Sequence, residues 1–209
     1  MDMGAGYGGT ARVAAKEFGC KVVCINIAKK QNVLNAAMNK AAGLDDKISV
    51  PGEKSFFDTG MPDSSCDIVS SQDALLHAGS ERHRALAEAA RVLKPGGRMV
   101  FTDFMQAEDA GAEDLQAVYK RLSLEDMATL KSYQQWGKDY GLEFVEFTDL
   151  TDNLLMHYTS LYDVLAYKRK DMKDVGEFMD TMLKGLASWK SAASRGLLLW
   201  GFVVLHKPV

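Results

Sequence analysis

The chain predicts an α/β fold: a mainly parallel sheet between two layers of helices. Three observations carry this expectation. Short apolar runs alternate with helical ones through the first half of the chain, and such alternation implies parallel strands joined by right-handed crossovers. A glycine-rich segment, Gly4-Ala5-Gly6-Tyr7-Gly8-Gly9, stands between a strand stub and a helix. The final apolar run, 197–205, is apolar on both faces, as a strand internal to a sheet must be.

The elements follow in order. Residues 1–3 supply only the end of a first strand, whereas strands usually take about 5–6 residues. The expectation is of a chain truncated within its first strand and lacking N-terminal helices. A helix is expected over 11–18, a buried strand over 21–27 and a helix over 30–42 stopped by Gly43. A weak strand at 48–50 precedes a strand at 66–71. The stretch 81–93 places Leu86, Ala89, Ala90 and Leu93 on one helical side and is stopped by Pro95-Gly96-Gly97. The next strand is 98–103. Beyond it the spacing predicts a helix over 124–140, a strand over 142–147 and mostly helix over 153–189. One domain spans 1–209: a cofactor-binding half (1–106), a helical substrate or lid region around strand six (107–196), and the last strand (197–206).

Composition sets bounds. The 209 residues are 47% hydrophobic, enough for one sizeable core. A net charge of −3 argues against a general nucleic-acid binder. No apolar run approaches the roughly 20 residues of a membrane helix, and no signal-peptide pattern is visible. The three cysteines, Cys20, Cys24 and Cys66, lack zinc spacing, and no metal site is expected. A cytoplasmic setting fits, with organelle targeting left open by the short N-terminus.

Four glycines in six positions are entropically costly and normally serve a conformational purpose. A strand–glycine turn–helix presents free N–H groups and a positive helix end to a ligand. Gly4, Gly6 and Gly9 satisfy G-x-G-x-x-G, the dinucleotide pattern. Asp2, two residues before the first glycine, points elsewhere, because a carboxylate there can accept from an ammonium group that a nicotinamide dinucleotide lacks. The Leu93-Lys94-Pro95-Gly96-Gly97 turn into a strand ending Thr102-Asp103 points the same way.

Together these motifs resemble the class I S-adenosylmethionine-dependent methyltransferases, in which D-x-G-x-G-x-G is the first cofactor motif and L-K-P-G-G precedes the fifth strand. The resemblance covers nearly the whole chain. It implies a Rossmann-like three-layer αβα fold with an antiparallel last strand, and S-adenosylmethionine as cofactor. It implies cofactor contacts from Asp2, Gly4, Ala5, Gly6, Tyr7, Ile27 and Gln72, with Ser55 and Phe56 flanking the adenine. The family usually has an acid at the end of strand two. Asn26 stands here, with an amide oxygen still able to accept and Gln31 one turn on for a second contact.

Ser71-Gln72-Asp73-Ala74-Leu75-Leu76-His77 follows the fourth strand, at the sheet edge where α/β ligands bind. If a helical turn begins at Asp73, the i,i+4 spacing puts carboxylate and imidazole on one side; an N-cap role for Asp73 stays open. S-Q-D-A-x-x-H, with N-I-A-x-x-Q-N before it and T-D after it, is similar to the sarcosine/dimethylglycine N-methyltransferases. Related phosphoethanolamine methyltransferases carry S-R-D-A-x-x-H. That resemblance implies that Asp73 contacts the amine and that His77 belongs to the catalytic machinery. Arg121 is the expected holder of the substrate's anionic end, by a bidentate fork. Tyr7, Tyr158 and Trp200 are candidate aromatic faces for a methylated cation, with His157-Tyr158 in the lid region. Phosphobase methylation, C-methylation and an inactive truncated fragment are the alternatives, and a homodimer through 153–187 is a further expectation.

Overall fold

The computed structural model describes residues 1–169 and 176–209. Seven strands form one sheet in the order β3-β2-β1-β4-β5-β7-β6. They are β1 Asp2–Met3, β2 Val22–Ile25, β3 Ile48–Ser49, β4 Cys66–Gln72, β5 Leu93–Gln106, β6 Glu143–Asp149 and β7 Leu198–His206. β1 to β5 pair in parallel, and β7 runs antiparallel between β5 and β6. The expected internal, reversed last strand is therefore present.

The helices are α1 Gly9–Phe18, α2 Lys29–Ala41, α3 Arg82–Val92, α4 Ala112–Leu122, α5 Leu130–Asp139, α6 Thr151–Arg169 and α7 Gly176–Ser194, with a 3-10 helix at Leu75–Glu81. Of the expected 153–189 helical stretch, 170–175 lie outside the described residues. Among the described residues no helix is long and apolar enough to cross a membrane.

Two apolar clusters matter for the site. One joins Met3, Val69, Leu86, Met99, Phe101, Tyr133 and Leu205 under α3 and α5. A separate one, built from Leu115, Tyr119, Leu154, Tyr158, Leu186, Trp189 and Leu198, holds α4, α6 and α7 together against the start of β7. The helical region thus carries its own core beside the sheet. Between β2 and β4, below the two paired residues of β1, lies a cavity of about 480 Å³ bordered by Val22, Val23, Cys66 and Ile68.

Three local expectations need correction. The helix expected over 124–140 begins only at Leu130, where Thr129 caps it: its Oγ1 accepts from Ser132 N–H at 3.1 Å. The preceding helix α4 was not expected. Its acidic first turn (Glu113, Asp114), basic last turn (Lys120, Arg121) and buried Leu115, Val118 and Tyr119 form an amphipathic pattern with the helix dipole satisfied at both ends. Ser123 ends it in a left-handed conformation (φ 55°). Lastly, Lys94-Pro95-Gly96-Gly97 lies within β5 as an irregularity, not before it. Pairing jumps from Cys66–Leu93 to Ile68–Arg98, and the looped residues exchange hydrogen bonds with Lys207, Gly96 N–H to its carbonyl at 2.8 Å and its N–H to Gly97 O at 2.9 Å.

Candidate active site

The carboxyl ends of β1, β2, β4 and β5 converge on one edge, and the site is built there. On its cofactor side the chain turns sharply after β1. The N–H groups of Gly4 and Ala5 both donate to Ile25 O, at 2.8 and 3.1 Å. Gly4 has φ +78°, and a Cβ there would sit 2.3 Å from the Ala74 Cβ. Gly8 has φ +73° and backs onto Asn35, whose Oδ1 would lie 2.0 Å from an added Cβ. Gly9, by contrast, has open space and no positive φ. Gly8, not Gly9, is therefore the third glycine that the turn requires.

α1 opens at Gly9 with no side-chain cap and no acid in its first turn. Its leading N–H groups are left for a ligand, as an anion-binding helix start requires. Thr10 Oγ1 donates to Gln72 Oε1 at 2.7 Å, tying that turn to the end of β4. Arg12, missed in the sequence, donates through Nη1 to Tyr7 O at 2.7 Å and to Asn39 Oδ1 at 3.0 Å. The loop is thereby pinned to α2, which buries Asn32, Asn35 and Asn39 while exposing Val33, Leu34 and Met38. That inverted helix face was the signal available for the anchor.

Asn26 is buried at the end of β2. Its amide donates to Gln31 Oε1 at 3.1 Å and Asn32 Oδ1 at 3.0 Å, which leaves its oxygen as the group to accept. Ile27 beside it is 70% exposed. Lys54 N–H reaches Asn26 O at 3.2 Å, bringing the loop of Ser55 and Phe56 to the same corner. There Ser55 Oγ accepts from Phe57 N–H at 3.1 Å, and Phe56 packs edge-on against Phe57. Asp2 is buried, accepts from Ser70 Oγ at 3.2 Å, and has its carboxyl pushed above the usual range by burial. It is a built-in, hydrogen-bonded carboxyl rather than an open one. Glycine cradle, uncapped helix start and free Asn26 oxygen together fit a nucleoside with a charged amino-acid tail.

On the acceptor side Asp73 is not helical. It stands in the left-handed region (φ 49°), and Ala74 rather than Asp73 caps the 3-10 helix. The i,i+4 argument therefore fails. A carboxyl at this strained turn is directed by its backbone, whose N–H donates to Thr102 O at 2.9 Å. Asp73 Oδ1 accepts from the Trp200 indole N–H at 2.8 Å, 127 residues away. Trp200 stacks on Phe104, its register partner across β5 and β7. Phe104 meets Trp189 edge-on, Trp189 stacks on Tyr158, and Arg121 lies over both of those rings while donating to Tyr158 Oη at 3.3 Å. Asp73, Trp200, Tyr158 and Arg121 are thus joined by one chain of ring contacts. Asp73 is close enough for its charge to help raise the Tyr158 pKa, after burial as the main cause.

Phe104 and Trp189 link that chain and were not picked out from the sequence. His157 is exposed on α6 and touches Tyr158 only ring edge to ring face. His77 is exposed, four residues on from Asp73. Partial burial first, and the Arg82 charge second, hold its imidazole below the ordinary range. Gly201 follows Trp200 because Phe147 crosses there, 2.1 Å from where a Cβ would stand.

Residues 1–101 match the family model described as a methyltransferase domain. With the reversed last strand and the glycine cradle, this defines a class I methyltransferase using S-adenosylmethionine. The chain is 40% identical over 210 residues to sarcosine/dimethylglycine N-methyltransferase of Aphanothece halophytica, covering 100% of this chain and 75% of the relative. It is 38% identical to dimethylglycine N-methyltransferase of Parasynechococcus marenigrum (strain WH8102), covering 100% and 74%. A crystal structure from Galdieria sulphuraria, provisionally named a sarcosine dimethylglycine methyltransferase, superposes with TM-score 0.92 at 37% identity over 99% of this chain and 77% of that one. The chain belongs to the sarcosine/dimethylglycine N-methyltransferase family.

Proposed function

We propose that this enzyme methylates the nitrogen of sarcosine or dimethylglycine, the second step giving glycine betaine. The observation that carries the reading is the run of aromatic contacts with a carboxylate at one end and a guanidinium at the other. A small amino acid is a zwitterion of matching polarity. Arg121 takes its carboxylate. Asp73, with Oδ1 occupied by Trp200, offers Oδ2 to the nitrogen. Trp200, Tyr158 and Phe104 supply ring faces to a nitrogen that becomes permanently cationic.

S-adenosylmethionine brings a methyl group already activated on a sulfonium. The chain's own tasks are positioning and proton removal. The acceptor arrives protonated and must expose its lone pair. His77, kept neutral at pH 7 by its lowered pKa, is the base for that proton. On the cofactor side, Gly4, Ala5, Gly6 and Tyr7 line the amino-acid tail with Asp2 behind them. Asn26, Gln31 and Ile27 hold the ribose and adenine, Ser55 and Phe56 flank the ring, and Gln72 steadies the loop. His157 belongs to the outer rim. Cytoplasmic location and a homodimer through the exposed Met156, Val164 and Phe178 of α6 and α7 belong to the same reading.

The test is methyl transfer from labelled S-adenosylmethionine to sarcosine, dimethylglycine and phosphoethanolamine in parallel. We expect kcat/KM for dimethylglycine to exceed that for phosphoethanolamine by at least roughly 100-fold, because a single guanidinium leaves a phosphate under-paired. Equal or better use of phosphoethanolamine overturns the substrate assignment.

A further inference from the structure

β5 sends Met99, Phe101, Asp103 and Met105 into the core, each at most 1% exposed. Asp103 is the only charged member of that row. A buried carboxyl is costly unless its partners are well placed. Its Oδ2 accepts from the Tyr133 hydroxyl, and its Oδ1 accepts from Leu76 N–H at 3.3 Å. Arg82, itself 1% exposed, reaches the same residue from α3: Nη2 donates to Leu76 O at 3.1 Å. The guanidinium is anchored in turn on Asp126, by Nη2 to its carbonyl and Nη1 to its carboxylate, both at 2.7 Å. Both backbone polar groups of Leu76 are therefore held by buried side chains, a carboxyl and a guanidinium, from two different elements. The next residue is His77.

We propose that Arg82, Asp103 and Tyr133 are positioning residues that clamp the two peptides flanking Leu76, Asp103 through the N–H of Leu75–Leu76 and Arg82 through the carbonyl of Leu76–His77, and so aim the His77 imidazole at the acceptor nitrogen. This rests on the reading of His77 as the base. None of the three is assigned a contact with substrate or cofactor. An apolar trio of similar volume would hold α3 and α5 on the sheet at least as well, but it would leave Leu76 free to turn. Arg82 serves twice, because its charge also lowers the His77 pKa.

The test compares Asp103→Leu, Asp103→Asn and Tyr133→Phe in the full chain. It reads kcat and KM for dimethylglycine, S-adenosylhomocysteine affinity by calorimetry, and the NMR signal of the His77 ring, assigned by its loss in His77→Ala. Asp103→Leu should lower kcat about 100-fold, since a displacement near 1 Å costs that much. Asp103→Asn, which keeps an acceptor for Leu76 N–H, should recover to within about fivefold of wild type. Tyr133→Phe should lower kcat about threefold and decides the matter if Asp103→Leu does not fold. In each variant the His77 signal should move while S-adenosylhomocysteine affinity holds. A folded Asp103→Leu or Tyr133→Phe chain whose His77 signal stays in place, or moves with kcat unchanged, overturns the proposal. If the wild-type chain methylates no small amine, the His77 signal still decides the clamp, and the failure falls on the substrate reading.

Discussion

The cofactor side and the acceptor side of this site are built in opposite ways. The first is backbone: three glycines in left-handed conformation, an uncapped helix start and paired main-chain donors, nearly all within the first 32 residues. The second is side chain, assembled from β4, β5, α4, α6, α7 and β7 across sequence separations of up to 127 residues. A backbone cradle tolerates changes in most neighbouring side chains but not in its glycines. A side-chain assembly fails one member at a time, and each failure has its own kinetic signature.

Substitutions can break that contrast. Asp73→Asn and His77→Ala should each cut kcat/KM by roughly 10²–10⁴-fold, with S-adenosylhomocysteine affinity by calorimetry within about threefold of wild type. If affinity falls in step, the two sides are not separable. Gly8→Ala should cost about 2–4 kcal/mol in urea unfolding, from an imposed positive φ together with the clash on Asn35. Gly9→Ala, one residue on and unobstructed, should be neutral or stabilising by up to about 1 kcal/mol. Equal losses at 8 and 9 would refute the assignment of the third glycine. Trp200→Phe keeps a ring face but removes the N–H on Asp73, and should raise KM for dimethylglycine about tenfold.

The smallest effect concerns pH and stability. Burial pushes the Asp103 carboxyl up to about 7 in the folded chain, against 3.8 for the free group. Between those values the folded state holds a proton that the unfolded chain has released. Asp103 therefore costs stability progressively as pH rises through that window, and its cost levels off above about 7. The melting temperature of Asp103→Asn relative to wild type should climb by roughly 3 °C or more between pH 4.5 and 8. A constant difference would show that Asp103 stays ionised throughout.

Much of the fold was legible because the buried strands are short apolar runs and the glycine segment announces its turn. Helix α4 was missed: its acidic start, basic end and apolar spacing are in the sequence, but a polar composition masked them. The departures at Asp73 and at Lys94–Gly97 come from backbone conformation imposed by neighbouring strands, which periodicity does not report. Arg121, Tyr158 and Trp200 were named as separate candidates. Phe104 and Trp189, which join them, looked like ordinary apolar residues, since a ring between two rings carries no local mark. The clamp around Leu76 was half-visible: Arg98 to Gln106 alternates with period two, and an aspartate falls on the apolar phase of that alternation.

Gly4 and Ala74 leave no room for another methyl group between them. The turn between β1 and α1 therefore cannot move toward Ala74 without pushing the residue beside Asp73. Whatever settles that turn also sets the backbone that directs the Asp73 carboxyl, the proposed holder of the amine. Nucleoside and acceptor binding should therefore be coupled in both directions, and saturating S-adenosylhomocysteine should change the calorimetric Kd for dimethylglycine.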